Sequence, residues 1–129
     1  MVDVVLGSFY GDEGKGKIID YLSTQADISV RCTGGGSYSH TVEIDKKKYT
    51  LRLLPTGILN ENVTAVIANG VVINPKSLIE EMEAIKEAGV TLDNLKISES
   101  AHIIFPYHIE MGKLLEESRQ QELKSEVVN

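Results

Sequence analysis

Apolar positions along this chain change their period several times, and each change marks an element. Residues 2–6 are a β-branched run stopping at Gly7, the pattern of a buried strand. A glycine-rich turn follows at 11–17, after which Ile18, Ile19 and Leu22 fall at helical spacing with Tyr21 beside them. The order predicted is strand, tight loop, helix. Residues 28–31 predict a second strand, and 33–40, with three glycines, a loop. β-prone runs at 41–44 and 49–53 flank Asp45-Lys46-Lys47-Lys48, which predicts a hairpin with a solvated lysine turn.

Leu54-Pro55-Thr56-Gly57 reads as a turn, because proline fixes φ and glycine permits a positive one. Strands are predicted at 64–68 and in the apolar run 71–73. Asn74 is placed to cap a helix whose first residue is Pro75, with Leu78, Ile79, Met82 and Ile85 on one face and Gly89 at its end. Short strands are expected at 95–97 and 102–105, and Met111, Leu114 and Leu115 make a last helical stripe; residues 122–129 show no clear apolar period. This alternation predicts an α/β fold: a mainly parallel sheet with flanking helices and a β-hairpin, opened by a P-loop-like strand–loop–helix.

Composition narrows the class. The 129 residues allow one domain, and 42% hydrophobic with 25% charged residues is globular usage. A net charge of −6 without a long basic block argues against general nucleic-acid binding. It does not oppose a small anionic ligand held by local amides and a lysine. The single cysteine, Cys32, excludes an internal disulfide, favours a reducing compartment and reads as a small packing residue. No apolar run reaches membrane-spanning length and the first residues lack a signal-peptide pattern, so the expected location is cytoplasmic.

Two loops carry candidate chemistry. Gly11-x-x-x-x-Gly16-Lys17 fits the first seven positions of a phosphate-binding loop, but Ile18 stands where Ser or Thr would hold Mg²⁺. Gly11, Gly14 and Gly16 let the backbone aim N–H groups inward, a helix N-terminus follows, and Lys15 and Lys17 add positive charge. Asp12 and Glu13 lie in the same loop; a carboxylate there suits Mg²⁺ or general-base work, although Glu13 also reads as a solvated residue at the helix start. The second loop is Cys32-Thr33-Gly34-Gly35-Gly36-Ser37-Tyr38-Ser39-His40-Thr41. Its His40 is a candidate proton donor or phosphate ligand, or else a hydrogen-bonded turn residue. His102 and His108 read as structural.

Together these loops resemble adenylosuccinate synthetase, which joins IMP and aspartate using GTP in AMP biosynthesis. The resemblance rests on Val-Val-Leu-Gly at 4–7, Gly-Asp-Glu-Gly-Lys-Gly-Lys at 11–17, Gly-Gly at 34–35 and His-Thr-Val at 40–42. It continues through Leu-Leu-Pro-Thr-Gly-Ile-Leu at 53–59, Asn-Gly-Val-Val at 69–72, Pro75 and Phe-Pro-Tyr-His at 105–108. It implies that Asp12 is the general base toward N1 of IMP and a Mg²⁺ ligand. It implies that His40 is the acid assisting GTP phosphoryl transfer to the IMP 6-oxygen, before the aspartate amine displaces that group. Lys15 resembles the lysine at the reacting phosphate, and Gly11, Glu13, Gly14, Gly16 and Lys17 resemble the nucleotide cradle. Ser37, Ser39 and Thr41 occupy second-loop binding positions, and Ser39 stands where the family's glycine offers its backbone carbonyl to Mg²⁺. The implied cofactor is Mg²⁺; the implied partners are GTP, IMP and aspartate.

Departures from the family qualify that expectation. The usual Gln-Trp before the first loop is Phe9-Tyr10, and the usual Asn-Ala-Gly-His is Ser37-Tyr38-Ser39-His40. The IMP-contacting amide is thereby lost, Tyr38 is bulky, and Ser39 is conformationally narrower than glycine. The family's IMP phosphate loop, aspartate loop and guanine-reading segment have no counterpart within these residues. The expectation is a single N-terminal partial domain, 1–129, that binds phosphate or nucleotide without ligase turnover. The alternative is a non-catalytic nucleotide-binding remnant or regulatory domain. An unrelated small P-loop protein is disfavoured by Ile18 and the extended match. Unpaired strand edges further predict a homodimer or a completing second chain.

Overall fold

The computed structural model describes residues 1–8, 10, 13–37, 39–44 and 46–127, with backbone alone for 44, 47 and 121–127. Its centre is a three-stranded parallel sheet in the order β1 (Ile28–Arg31), β4 (Thr64–Ile67), β6 (Leu95–Ile97). Val30 pairs with Val66, and Ala65 with Leu95. Beside it β2 (His40–Ile44) and β3 (Lys47–Leu51) form the antiparallel hairpin, with His40 opposite Leu51. A second parallel pair joins β5 (Val72–Ile73) to β7 (His102–Ile103). The helices are α1 (Lys15–Ser23), α2 (Pro75–Glu87) and α3 (Pro106–Val127), and a single 3-10 turn covers Thr56–Leu59. The fold is α/β, mixing parallel sheets with an antiparallel hairpin.

Leu51, Leu53, Leu54, Ile58, Val63, Ile67, Val71 and Ile85 are fully buried and form the core between the central sheet, the hairpin base and α2. Local chemistry agrees with the packing around α2. The Asn74 side chain accepts the N–H groups of Lys76 and Ser77, Pro75 occupies the first helical position, and Gly89 leaves the helix at φ +89. Asn94 fastens the approach to β6 by donating from Nδ2 to the carbonyls of Asn60 and Val63, at 3.0 and 2.8 Å.

Several expectations are corrected. Residues 2–6 form no strand, and Val2, Val4 and Leu6 are exposed. The central sheet ends at β1 and β6 without pairing to this run, and β-propensity alone does not hold an unpaired strand. Helix α1 therefore forms without the strand that was to precede it. On α2, Leu78 and Ile85 are buried as the periodicity predicts, but Ile79 is exposed and Glu81 takes the inward position. Cys32 is exposed, so it is not a packing residue; it is its carbonyl that lies against Gly70. The second hairpin strand covers 47–51 rather than 49–53, because the chain turns away at Arg52 onto α2. The stripe of Met111, Leu114 and Leu115 is helical yet exposed.

Candidate functional site

The two loops singled out in the sequence meet in the fold. Gly14, in the left-handed region at φ +78, turns the chain into α1, and its carbonyl accepts the Lys17 N–H at 3.0 Å. The opening amides of α1 have no partner within the helix, as at any helix start, and so favour an anion there. One residue into α1, Gly16 packs on the imidazole of His40: a Cβ at Gly16 would lie 2.9 Å from His40 Cβ and Cγ. Only a residue without a side chain lets the first helix approach the second loop this closely.

Lys15 is half-buried, and its Nζ pairs with Glu13 Oε2 at 2.6 Å. Glu13 is thus an ion-pair partner of the loop lysine rather than merely solvated. An incoming phosphate would compete with the Glu13 carboxylate for the same ammonium. Lys17 and Ile18 are exposed on α1. Gly11 and Asp12 lie outside the described residues, as does Tyr38.

His40 opens β2 and is half-buried. Its Nε2 lies 3.0 Å from Thr56 Oγ1, and Thr56 is itself 3% exposed. Burial, and then the Arg31 guanidinium, hold the His40 imidazole below its usual pKa, against the opposing pull of Glu81 and Asp20. Arg31 donates from Nη2 to the Gly35 carbonyl at 2.8 Å and so braces the second loop from β1. Its Nε is buried without a hydrogen-bond partner, and burial lowers its pKa. Ser29, Arg31, His40, Leu54 and Thr56 line a partly open cavity of about 70 Å³, room for water molecules. Ser37, Ser39 and Thr41 are exposed along the same loop.

The remaining histidines behave differently. His108 is structural as expected: its Nδ1 accepts the Phe105 N–H at 3.0 Å at the start of α3, and its ring lies against Tyr107. His102 sits exposed in β7, and its backbone N–H bonds to the Val71 carbonyl.

Sequence reading did not single out Arg31, Thr56 or Glu81 for the site. For Glu81 a signal exists: it shares the i, i+3, i+4, i+7 face of Leu78, Met82 and Ile85, where an acid is out of place unless it is bonded. Thr56 lies in a turn motif with nothing local to mark its hydroxyl.

Comparison with known proteins accounts for this arrangement. Adenylosuccinate synthetase from Clostridioides difficile (strain 630) is 51% identical over 115 residues, covering 89% of this chain and 27% of that protein. The Streptococcus sanguinis (strain SK36) enzyme is 53% identical over 116 residues, again 27% of its length. The structure of fully ligated adenylosuccinate synthetase from Plasmodium falciparum superposes with a TM-score of 0.79 at 45% identity, over 91% of this chain and 27% of that one. The chain thus spans about a quarter of the length of these relatives. Among the described residues no helix is long and apolar enough to cross a membrane. With the adenylosuccinate synthetase family profile matching residues 4–126, nearly the whole chain, this protein belongs to that family.

Proposed function

We propose that this chain forms the phosphate-loop and acid–base portion of an adenylosuccinate synthetase, the enzyme that joins IMP to aspartate at the expense of GTP. The observation that carries the reading is the contact of Gly16 with His40, which brings the helix N-terminus of the phosphate loop against the one histidine of the second loop. A phosphate oriented by the amides of Gly14, Lys15 and Gly16 and by Lys17 would then lie beside a proton-carrying side chain. In this reading Asp12 takes the proton from N1 of IMP, which makes the 6-oxygen nucleophilic. His40 faces the phosphoryl group, and Lys15 leaves Glu13 to offset charge developing on the phosphoryl oxygens. Ser37 and Thr41 border the IMP side.

The family implies Mg²⁺, and the donors present suit it. Asp12 would offer a carboxylate oxygen and Ser39 its backbone carbonyl, both hard donors. Phosphate and water oxygens would complete the ion's shell. When bound, the cation withdraws charge from the phosphoryl oxygens.

In this reading the isolated chain binds nucleotide weakly and does not turn over, because the matched region is 27% of the length of its relatives. A second reading, a nucleotide-binding remnant or regulatory domain, is favoured by Ser37-Tyr38-Ser39 in place of the family's Asn-Ala-Gly. Exposed Val2, Val4, Leu6, Leu114 and Leu115 support assembly with a second copy or a completing chain. Calorimetric titration with GTP and Mg²⁺ tests the cradle. Lys15→Ala is expected to weaken binding about tenfold or more, the effect of losing one charge-assisted contact. Unchanged affinity in both Lys15→Ala and Asp12→Ala would end the proposal. Spectrophotometric formation of adenylosuccinate from IMP, aspartate and GTP by the purified chain would refute its inactivity.

A further inference from the structure

Glu81 is a buried acid that the reading above does not use. It lies on the core face of α2, 9% exposed, among Leu78, Met82 and Ile85. An ionised carboxylate there is costly unless it is fully bonded. Its Oε1 accepts the N–H groups of Arg52 and Leu54, at 2.8 and 3.0 Å, and its Oε2 that of Leu53, at 2.9 Å. Three successive amides at the end of the hairpin thus converge on one side chain. They are the residues at which the chain leaves β3 and enters the turn bearing Thr56.

That turn is seated from the opposite side as well. Leu53 and Leu54 are fully buried, and a Cβ at Gly57 would run into the Ser29 side chain. Held between α2 and β1, the turn presents Thr56 Oγ1 to His40 Nε2 at 3.0 Å. The imidazole is consequently gripped by Thr56 at Nε2 and packed by Gly16 along its Cγ–Cδ2 edge.

We propose that Glu81 is a positioning residue for His40: its carboxylate fixes the 52–54 backbone, and the turn so fixed holds the imidazole through Thr56. Glu81 touches no reacting group in this scheme. Its relevance to the reaction rests on the reading of His40 as the site's acid. The positioning itself does not depend on that reading.

The test is the tautomer of His40 in the full 129-residue chain, read from its ring ¹⁵N shifts at one alkaline pH where the imidazole is neutral. In the unsubstituted chain one tautomer should dominate. Thr56→Val should move the shifts toward the mixture of free imidazole, and Thr56→Ser, which keeps the hydroxyl, should restore them. Glu81→Asp keeps the charge but withdraws the carboxylate by one methylene; it should reproduce at least half of the Thr56→Val change and add nothing to it in the double variant. A tautomer unmoved by Glu81→Asp, or changes that simply add, would overturn the proposal. If Glu81→Asp does not fold, Glu81→Gln is read by the same criteria, and failure of both to fold would assign Glu81 a purely structural role instead. No nucleotide enters this measurement, so it fails separately from the GTP titration.

Discussion

The segment from Leu51 to Ile85 and the two ends of the chain both carry large apolar side chains, with opposite fates. In the first, Leu51, Leu53, Leu54, Ile58, Ile67 and Ile85 are sealed inside. In the second, Val2, Val4, Leu6, Met111, Leu114 and Leu115 lie in solvent. Residue type does not separate them, since leucine occurs in both sets. The buried residues belong to elements with hydrogen-bonded neighbours or helical caps. Among the described residues, 2–6 have no strand partner and the α3 stripe faces no element that covers it. An apolar pattern predicts a surface that wants covering, and only topology says whether this chain supplies the cover.

The largest effect that would test the contrast is Ile67→Ala, expected to cost about 2–5 kcal/mol in denaturant unfolding, because it empties packed volume beside β1 and β6. Next is Gly57→Ala, whose new methyl meets Ser29; about 1–3 kcal/mol should be lost, with the turn displaced from β1. Asn74→Ala removes the cap over Lys76 and Ser77 and should lower stability by about 1 kcal/mol. Smallest is Leu114→Ser, within about 0.5 kcal/mol in the same melts. Its visible effect should be weaker self-association in sedimentation velocity. Equal losses for Ile67→Ala and Leu114→Ser would erase the distinction between the two regions, because they would mean that the α3 stripe is packed in solution.

What could be read from the sequence divides along the same line. The α2 cap, the hairpin and the parallel strands at 28–31 and 64–67 follow from local period and turn chemistry, which act over a few residues. The strand expected at 2–6 fails because strand formation needs a partner that no local pattern supplies. At the site, the glycines, Lys15 and His40 were visible as a motif, and the close approach of Gly16 to His40 gives that motif a spatial meaning. The brace from Arg31, the Thr56 contact and the Glu81 clamp were not visible. Each joins positions distant in sequence or depends on where one backbone turn lies. Glu81 and Arg52 are 29 residues apart. The misplacement of Ile79 has the same origin: Glu81 shares the core face with Leu78, Met82 and Ile85 because three backbone amides meet it there, and Ile79, about 100° round the helix from Leu78, lies off that face.

The second loop is less free than its glycines suggest. At one end Gly34, at φ +86, bridges to Val71 and accepts the Val72 N–H at 2.9 Å; Arg31 then holds the Gly35 carbonyl, and at the other end His40 is fixed in the hairpin. Only four residues, 36–39, separate the last two anchors. Fixing a residue's backbone costs about 1–2 kcal/mol, so anchoring the three residues 33–35 places about 3–6 kcal/mol of ordering cost in the folding of the chain itself. Part of the loop's order is therefore settled when the chain folds, by anchors on β1, β5 and the hairpin.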